Sequence, residues 1–162
     1  MYITSFAHPC GQVLLRLHFK AGVPETQRAE GFFKDLKVWQ KSVDLAVMVH
    51  RAVKLLPGEE LYSLSDQMRR AVISIPSNIA EGQQRNSTRE FIHFLYIAKG
   101  SLGELETQLI LCERFGYLSS KDTQPIFLQL NDVGKLLNGL INSMQQNREQ
   151  ATENRQLRNE RY

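Results

Sequence analysis

Between Phe91 and Cys112 the chain places an apolar residue at alternating steps of four and three: Phe91, Leu95, Ala98, Leu102, Leu105, Leu109 and Cys112. Only an α-helix, with 3.6 residues per turn, brings such positions onto one face. Ser87-Thr88-Arg89-Glu90 stands directly before this run and reads as a capping box, in which a hydroxyl and a carboxylate satisfy orphan backbone donors. A second stripe of Phe94, Ile97, Ile110 and Leu111 widens the apolar face, and Gly116 marks the stop. A helix apolar on more than one side needs several partners, and one small bundle cannot cover all of it.

Three further segments have the same periodicity. The first helix is predicted to start with Asp35 as N-cap and to carry Leu36, Trp39, Val43, Ala46, Val47, His50 and Val53, ending at Pro57-Gly58. The second runs from about Ser63 with Leu64, Met68, Ala71, Val72, Ile75 and Ile79 and closes near Gly82; Pro76 inside it predicts a kink or a break. The fourth spans about Asp122 to Met144 with Ile126, Leu130, Val133, Leu137, Leu140 and Met144, and Pro125 falls in its first turn. Four amphipathic helices joined by short loops predict an all-α, up-down-up-down antiparallel four-helix bundle over residues 32–144. Its predicted core holds Trp39, Val43, Ile75, Leu95, Leu102, Leu109, Val133, Leu137 and Leu140.

Residues 1–31 read as an N-terminal arm, irregular or dispensable, with one strand-like alternation at Val13, Leu15, Leu17 and Phe19 and nothing evident to pair with it. Residues 145–162 have Leu157 as their sole aliphatic side chain larger than Ala, which predicts a frayed helix or a disordered tail. The longest stretch without Asp, Glu, Lys or Arg, Met1 to Leu15, is interrupted by His8, Pro9 and Gly11 and falls short of the ~18 apolar residues of a membrane span. With no clean signal peptide either, the expectation is a cytoplasmic chain without a membrane partner.

The chemistry-bearing residues are sparse. His8, His18, His50 and His93 include no pair at helical ligand spacing, and Cys10 and Cys112 lie far apart, so neither a metal nor another cofactor is expected. His50 lies on the first helix's apolar stripe, where a hydrogen-bonded core or interface histidine is expected; His93 falls off the third helix's main stripe and should be solvated. No phosphate-binding glycine loop, nucleophile elbow, Cys-x-x-Cys or dinucleotide fingerprint is present. Asn78 and Glu81 share a face of the second helix, and with Ser101 and Glu104 of the third they form a candidate buried polar cluster. Such a cluster is either a network that fixes helix register or an active site. The enzymatic version is a divalent-metal-dependent nuclease or hydrolase using Glu81 and Glu104, for which no third carboxylate is evident. Arg69, Arg70, Arg85, Arg89 and Lys99 gather around the second helix and the start of the third, where they could meet RNA or DNA phosphates or form a solvated charged face. The net charge of +3 permits nucleic-acid binding without requiring it.

Four segments together resemble one family: FKDLKVWQKSVDLA ending at Ala46, SIPSNIAEG at Ser74 to Gly82, EFIHFLYIAKGSLGELETQL at Glu90 to Leu109, and GYL at Gly116 to Leu118. These are similar to the four-helix-bundle proteins encoded in intervening sequences of bacterial 23S ribosomal RNA genes. The resemblance implies a small helical protein without known catalytic activity that assembles into a ring, a cyclic pentamer. The related accessory proteins of diversity-generating retroelements form similar barrels that engage nucleic acid and a reverse transcriptase. Ser77, Asn78, Glu81, Gly82, Gly100, Ser101, Glu104 and Glu106 occupy the family's motif positions, and no established catalytic role comes with them. By this resemblance the chain is expected to be a non-enzymatic homo-oligomer that binds RNA or DNA as a scaffold.

Overall fold

The computed structural model describes residues 33–58 and 63–159. The expected arm and the strand-like alternation at 13–19 lie outside them. A 3-10 turn at Phe33–Asp35 leads into α1 (Lys37–Ala52), and a second at Val53–Leu55 follows it. Three longer helices come after: α2 (Leu64–Gln83), α3 (Thr88–Arg114) and α4 (Ser120–Asn159). Each packs against its neighbours in sequence, and α4 returns against α1 to close a four-helix bundle. At that closing seam the Gln129 side chain donates to the Lys41 carbonyl at 2.9 Å, and Lys41 reaches Asp132 at 4.0 Å.

α3 follows its sequence pattern closely. The Ser87 hydroxyl accepts from the Glu90 amide, and Leu95, Ala98, Leu102, Leu105, Leu109 and Cys112 are buried. Gly116, at φ +75°, ends the helix in a Schellman motif: Tyr117 N–H reaches the Cys112 carbonyl at 2.9 Å and Gly116 N–H that of Glu113 at 3.0 Å. Ile75, Val133 and Leu137 are also in the core, as predicted.

α1 departs from the prediction in its start and its face. Leu36, not Asp35, takes the N-cap position, because Asp35 belongs to the preceding 3-10 turn. The buried positions are Val38, Ser42, Leu45, Val49 and Ala52, one residue out of phase with the predicted stripe. Trp39 and Val43 are half-buried at its edge, while Val47 and His50 are exposed. Ser42 hides the true phase in the sequence, and it is tolerated inside because its hydroxyl donates to the Trp39 carbonyl at 2.7 Å. In α4, Ile141 takes the core place expected of Leu140, which is half-buried.

α2 stays helical from end to end through Pro76, so the helix does not break there as the proline predicted it could. Mid-helix side chains just after the proline donate to carbonyls one turn back: Ser77 Oγ to Ile73 O at 2.8 Å and Asn78 Nδ2 to Ser74 O at 2.8 Å. α4 begins two residues earlier than predicted, since Ser119 caps it and Asp122 accepts from both the Ser119 amide and its hydroxyl. Pro125 therefore stands in the second turn. The helix also runs on through residues 145–159. Extending an existing helix requires no new nucleation, and this stretch lacks Gly and Pro.

Candidate functional site

The outward side of the α2–α3 pair carries several of the residues singled out from the sequence, Arg70, Ser77, Glu81 and Glu104 among them. Along α2, Gln67, Arg70, Ile73, Ser77 and Glu81 form an exposed row at helical spacing. Along α3 the corresponding row contains Tyr96, Ile97, Gly100, Gly103, Glu104, Thr107, Ile110 and Leu111. Ile73 is 57% exposed, Ile97 39% and Ile110 41%, and Phe115 continues the apolar line at 56%. Large aliphatic side chains so placed on adjacent rows exceed the scattered single exposures usual for a monomer surface.

A hydrogen-bond network joins the two helices beneath this face. Its hub is Ser74, whose hydroxyl accepts from Asn78 Nδ2 and from Ser101 Oγ, each at 2.9 Å. The Ser101 contact crosses from α3 to α2 and pins one against the other. The sequence reading named Asn78 and Ser101 and missed Ser74, although its four-residue step to Asn78 was a usable signal. The two carboxylates do not join this network. Glu81 and Glu104 are exposed; Glu81 pairs with Arg85 one turn on, and Glu104 accepts from Gln108 at 3.1 Å. Each is thus occupied on its own helix. Among the described residues no three His, Cys, Asp or Glu side chains come together as a metal site.

The basic residues spread rather than gather. Arg69 pairs with Asp66 at 3.0 Å, and Arg85 holds Glu81 while stacking over the Phe94 ring at 5.0 Å. About 20 Å of helix lies between Arg70 and the end of α2 at Gln83, and Arg85 is in the turn beyond it. Arg70, Arg89 and Lys99 are exposed and form no ion pair among the described residues. His93 is exposed, edge-on to Phe94.

Gly82 explains itself sterically. A Cβ at this position would lie 2.6 Å from Phe94 Cβ and 3.0 Å from Phe91 Cδ2, so glycine permits the closest approach of α2 to α3. Gly100 and Gly103 have open space around them. The Asp122 carboxyl is held below its ordinary range by the Ser119 side-chain hydrogen bond and then by the Ser119 amide.

Among the described residues no helix is long and apolar enough to cross a membrane. A search of curated proteins found no match. Among solved structures, the chain is similar to a protein of unknown function from the S23 ribosomal protein family of Bacteroides thetaiotaomicron VPI-5482. The identity is 32%, the TM-score 0.60, and the match covers 64% of this chain and 97% of that one. The family model of the 23S rRNA-intervening sequence protein matches residues 34–139, which is more than half of the chain and contains nearly all of the bundle. With the four-helix fold and the α2–α3 motif face, this shows that the chain belongs to the 23S rRNA-intervening sequence protein family.

Proposed function

We propose that the protein acts by binding rather than by catalysis, as a homo-oligomeric scaffold in the bacterial cytoplasm that engages RNA or DNA. The observation that carries this reading is the outward α2–α3 face, with Ile73, Ile97, Ile110 and Phe115 exposed and Gly100 and Gly103 open to close approach. An exposed helical glycine costs about 1 kcal/mol relative to Ala, and a neighbouring subunit's backbone is a physical reason to keep it. A head-to-tail contact of this kind closes into a ring, and the family resemblance suggests five subunits. Repetition around a ring would multiply Arg70, Arg89 and Lys99, with the partly neutralised Arg69 and Arg85 beside them, into a continuous basic surface. The intervening-sequence family name and the S23 name of the solved relative make ribosomal RNA the first nucleic acid to try. The occupied Glu81 and Glu104 lend no support to a nuclease.

Sedimentation velocity of labelled RNA or DNA with the protein tests this. Nucleic acid should move with a species larger than one chain, release steeply as salt rises, and show little sequence preference. An Arg70→Ala, Arg89→Ala, Lys99→Ala variant should flatten the salt slope while keeping its helical spectrum. Free sedimentation of both nucleic acids at low salt would refute the reading.

A further inference from the structure

Beyond the family-matched region, α4 continues to Asn159 and runs beside the first turn of α3. A cleft of about 520 Å³ lies between this extension and the first turn of α3, lined by Thr88, Met144, Asn147, Arg148, Thr152 and Arg155 among others. We propose that this cleft binds the phosphate backbone of a single-stranded nucleic acid, a site that rests on the nucleic-acid reading above and gives it a location outside the shared family bundle.

Several observations converge on that ligand. Arg148 and Arg155 form no ion pair among the described residues. The sequence gives the reason, since the positions three and four residues away from each arginine hold no Asp or Glu, only Met144, Gln145, Ala151, Thr152, Arg158 and Asn159. Glu149 and Glu153 line a separate cleft, which they share with Arg148 and Thr152. Glu90, in the first turn of α3, makes no ion pair with either arginine. Thr88, Asn147 and Thr152 line the cleft with neutral hydrogen-bonding groups, and Thr88 brings the positive end of the α3 dipole to its wall. Seven residues of helix, close to two full turns, set the two arginines about 10 Å apart along the axis of α4 on one face. A polyanion with charges every few ångströms presents phosphates at that separation in any sequence, which favours a nucleic-acid strand over a free phosphate.

The test is fluorescence anisotropy of a labelled single-stranded oligouridylate at low and rising salt, with the full chain. An Arg148→Gln, Arg155→Gln variant with an unchanged helical spectrum should bind about tenfold more weakly or worse, and its log affinity should fall with log salt by a slope smaller by about 1.4. A Glu149→Gln, Glu153→Gln variant removes the negative charge of the neighbouring cleft, which shares Arg148, without removing a guanidinium, and its affinity should rise several-fold. Excess inorganic phosphate should compete poorly. If the wild type binds and both variants bind as it does, the cleft assignment is overturned while the nucleic-acid reading stands. If the wild type does not bind at low salt, both fall. Competition by inorganic phosphate at concentrations too low to screen charge would also overturn the assignment, by showing a site for a single anion.

Discussion

Replacing Gly82 by alanine sets two opposite effects against each other, and the structure decides between them. In an exposed helix interior the change gains about 1 kcal/mol of helix propensity. Here the new methyl would stand 2.6 Å from Phe94 Cβ, about an ångström inside the usual carbon–carbon optimum of about 3.5–4.0 Å. Phe94 Cβ is one bond from the α3 backbone and cannot rotate aside, so relief requires α2 and α3 to separate. Separation loosens buried Ile75, Ile79 and Leu95. It also stretches the Ser101–Ser74 hydrogen bond. Overpacking of this kind costs about 1–3 kcal/mol even after local adjustment, and the stiffness of this contact places Gly82 toward the upper end. A net loss of about 1–2 kcal/mol follows, and at fixed protein concentration a lower Tm by several degrees. Gly139→Ala is the control, because that glycine has nothing within 4 Å and should show the propensity gain alone. Both are measured by thermal and urea unfolding followed at 222 nm. Should Gly82→Ala match Gly139→Ala in raising stability, the close-approach argument would be wrong.

Leu102→Ala, at a core position 7% exposed, should cost about 2–5 kcal/mol in urea unfolding. Ser74→Ala removes the acceptor shared by Asn78 and Ser101 and should cost about 1 kcal/mol; Ser101 keeps the Ile97 carbonyl at 3.2 Å, so adding Ser101→Ala should cost less than the sum of the single changes. For Asp122 the folded pKa is depressed, so its contribution to the start of α4 is present above its ordinary value near 3.8 and is lost as pH falls through the folded pKa. Thermal midpoints taken across that acid range should therefore fall less in Asp122→Asn than in the wild type, and parallel curves would refute the cap.

How much of this was legible in the sequence varied with how redundantly each helix was encoded. α3 repeats its apolar face over seven positions without a polar interruption, so its phase admits one solution, and its cap and stop signals are both standard. α1 offers two phases one residue apart; the true one contains Ser42, and a hydropathy pattern cannot show that a hydroxyl will be satisfied by its own helix. Trp39 and Val43 then drew the prediction onto the neighbouring phase. The tail after Met144 has little to bury, which predicts fraying, whereas continuing a helix depends on propensity and on the turn before it. In the candidate cluster, Asn78 and Ser101 were visible as polar residues beside apolar stripes. Glu81 and Glu104 were grouped with them because sequence spacing fixes only a helical face, and their partners one turn along, Arg85 and Gln108, compete on the same helix.

The central claim is that the exposed α2–α3 face is covered by another copy of the chain. Multi-angle light scattering at micromolar concentration tests it directly. The wild type should show a mass that is a multiple of the single chain's 18.6 kDa, fivefold if the family ring forms, and Ile97→Asp should lower that mass while its circular dichroism stays helical. A wild-type mass of 18.6 kDa, or an Ile97→Asp assembly of unchanged size, would contradict the account.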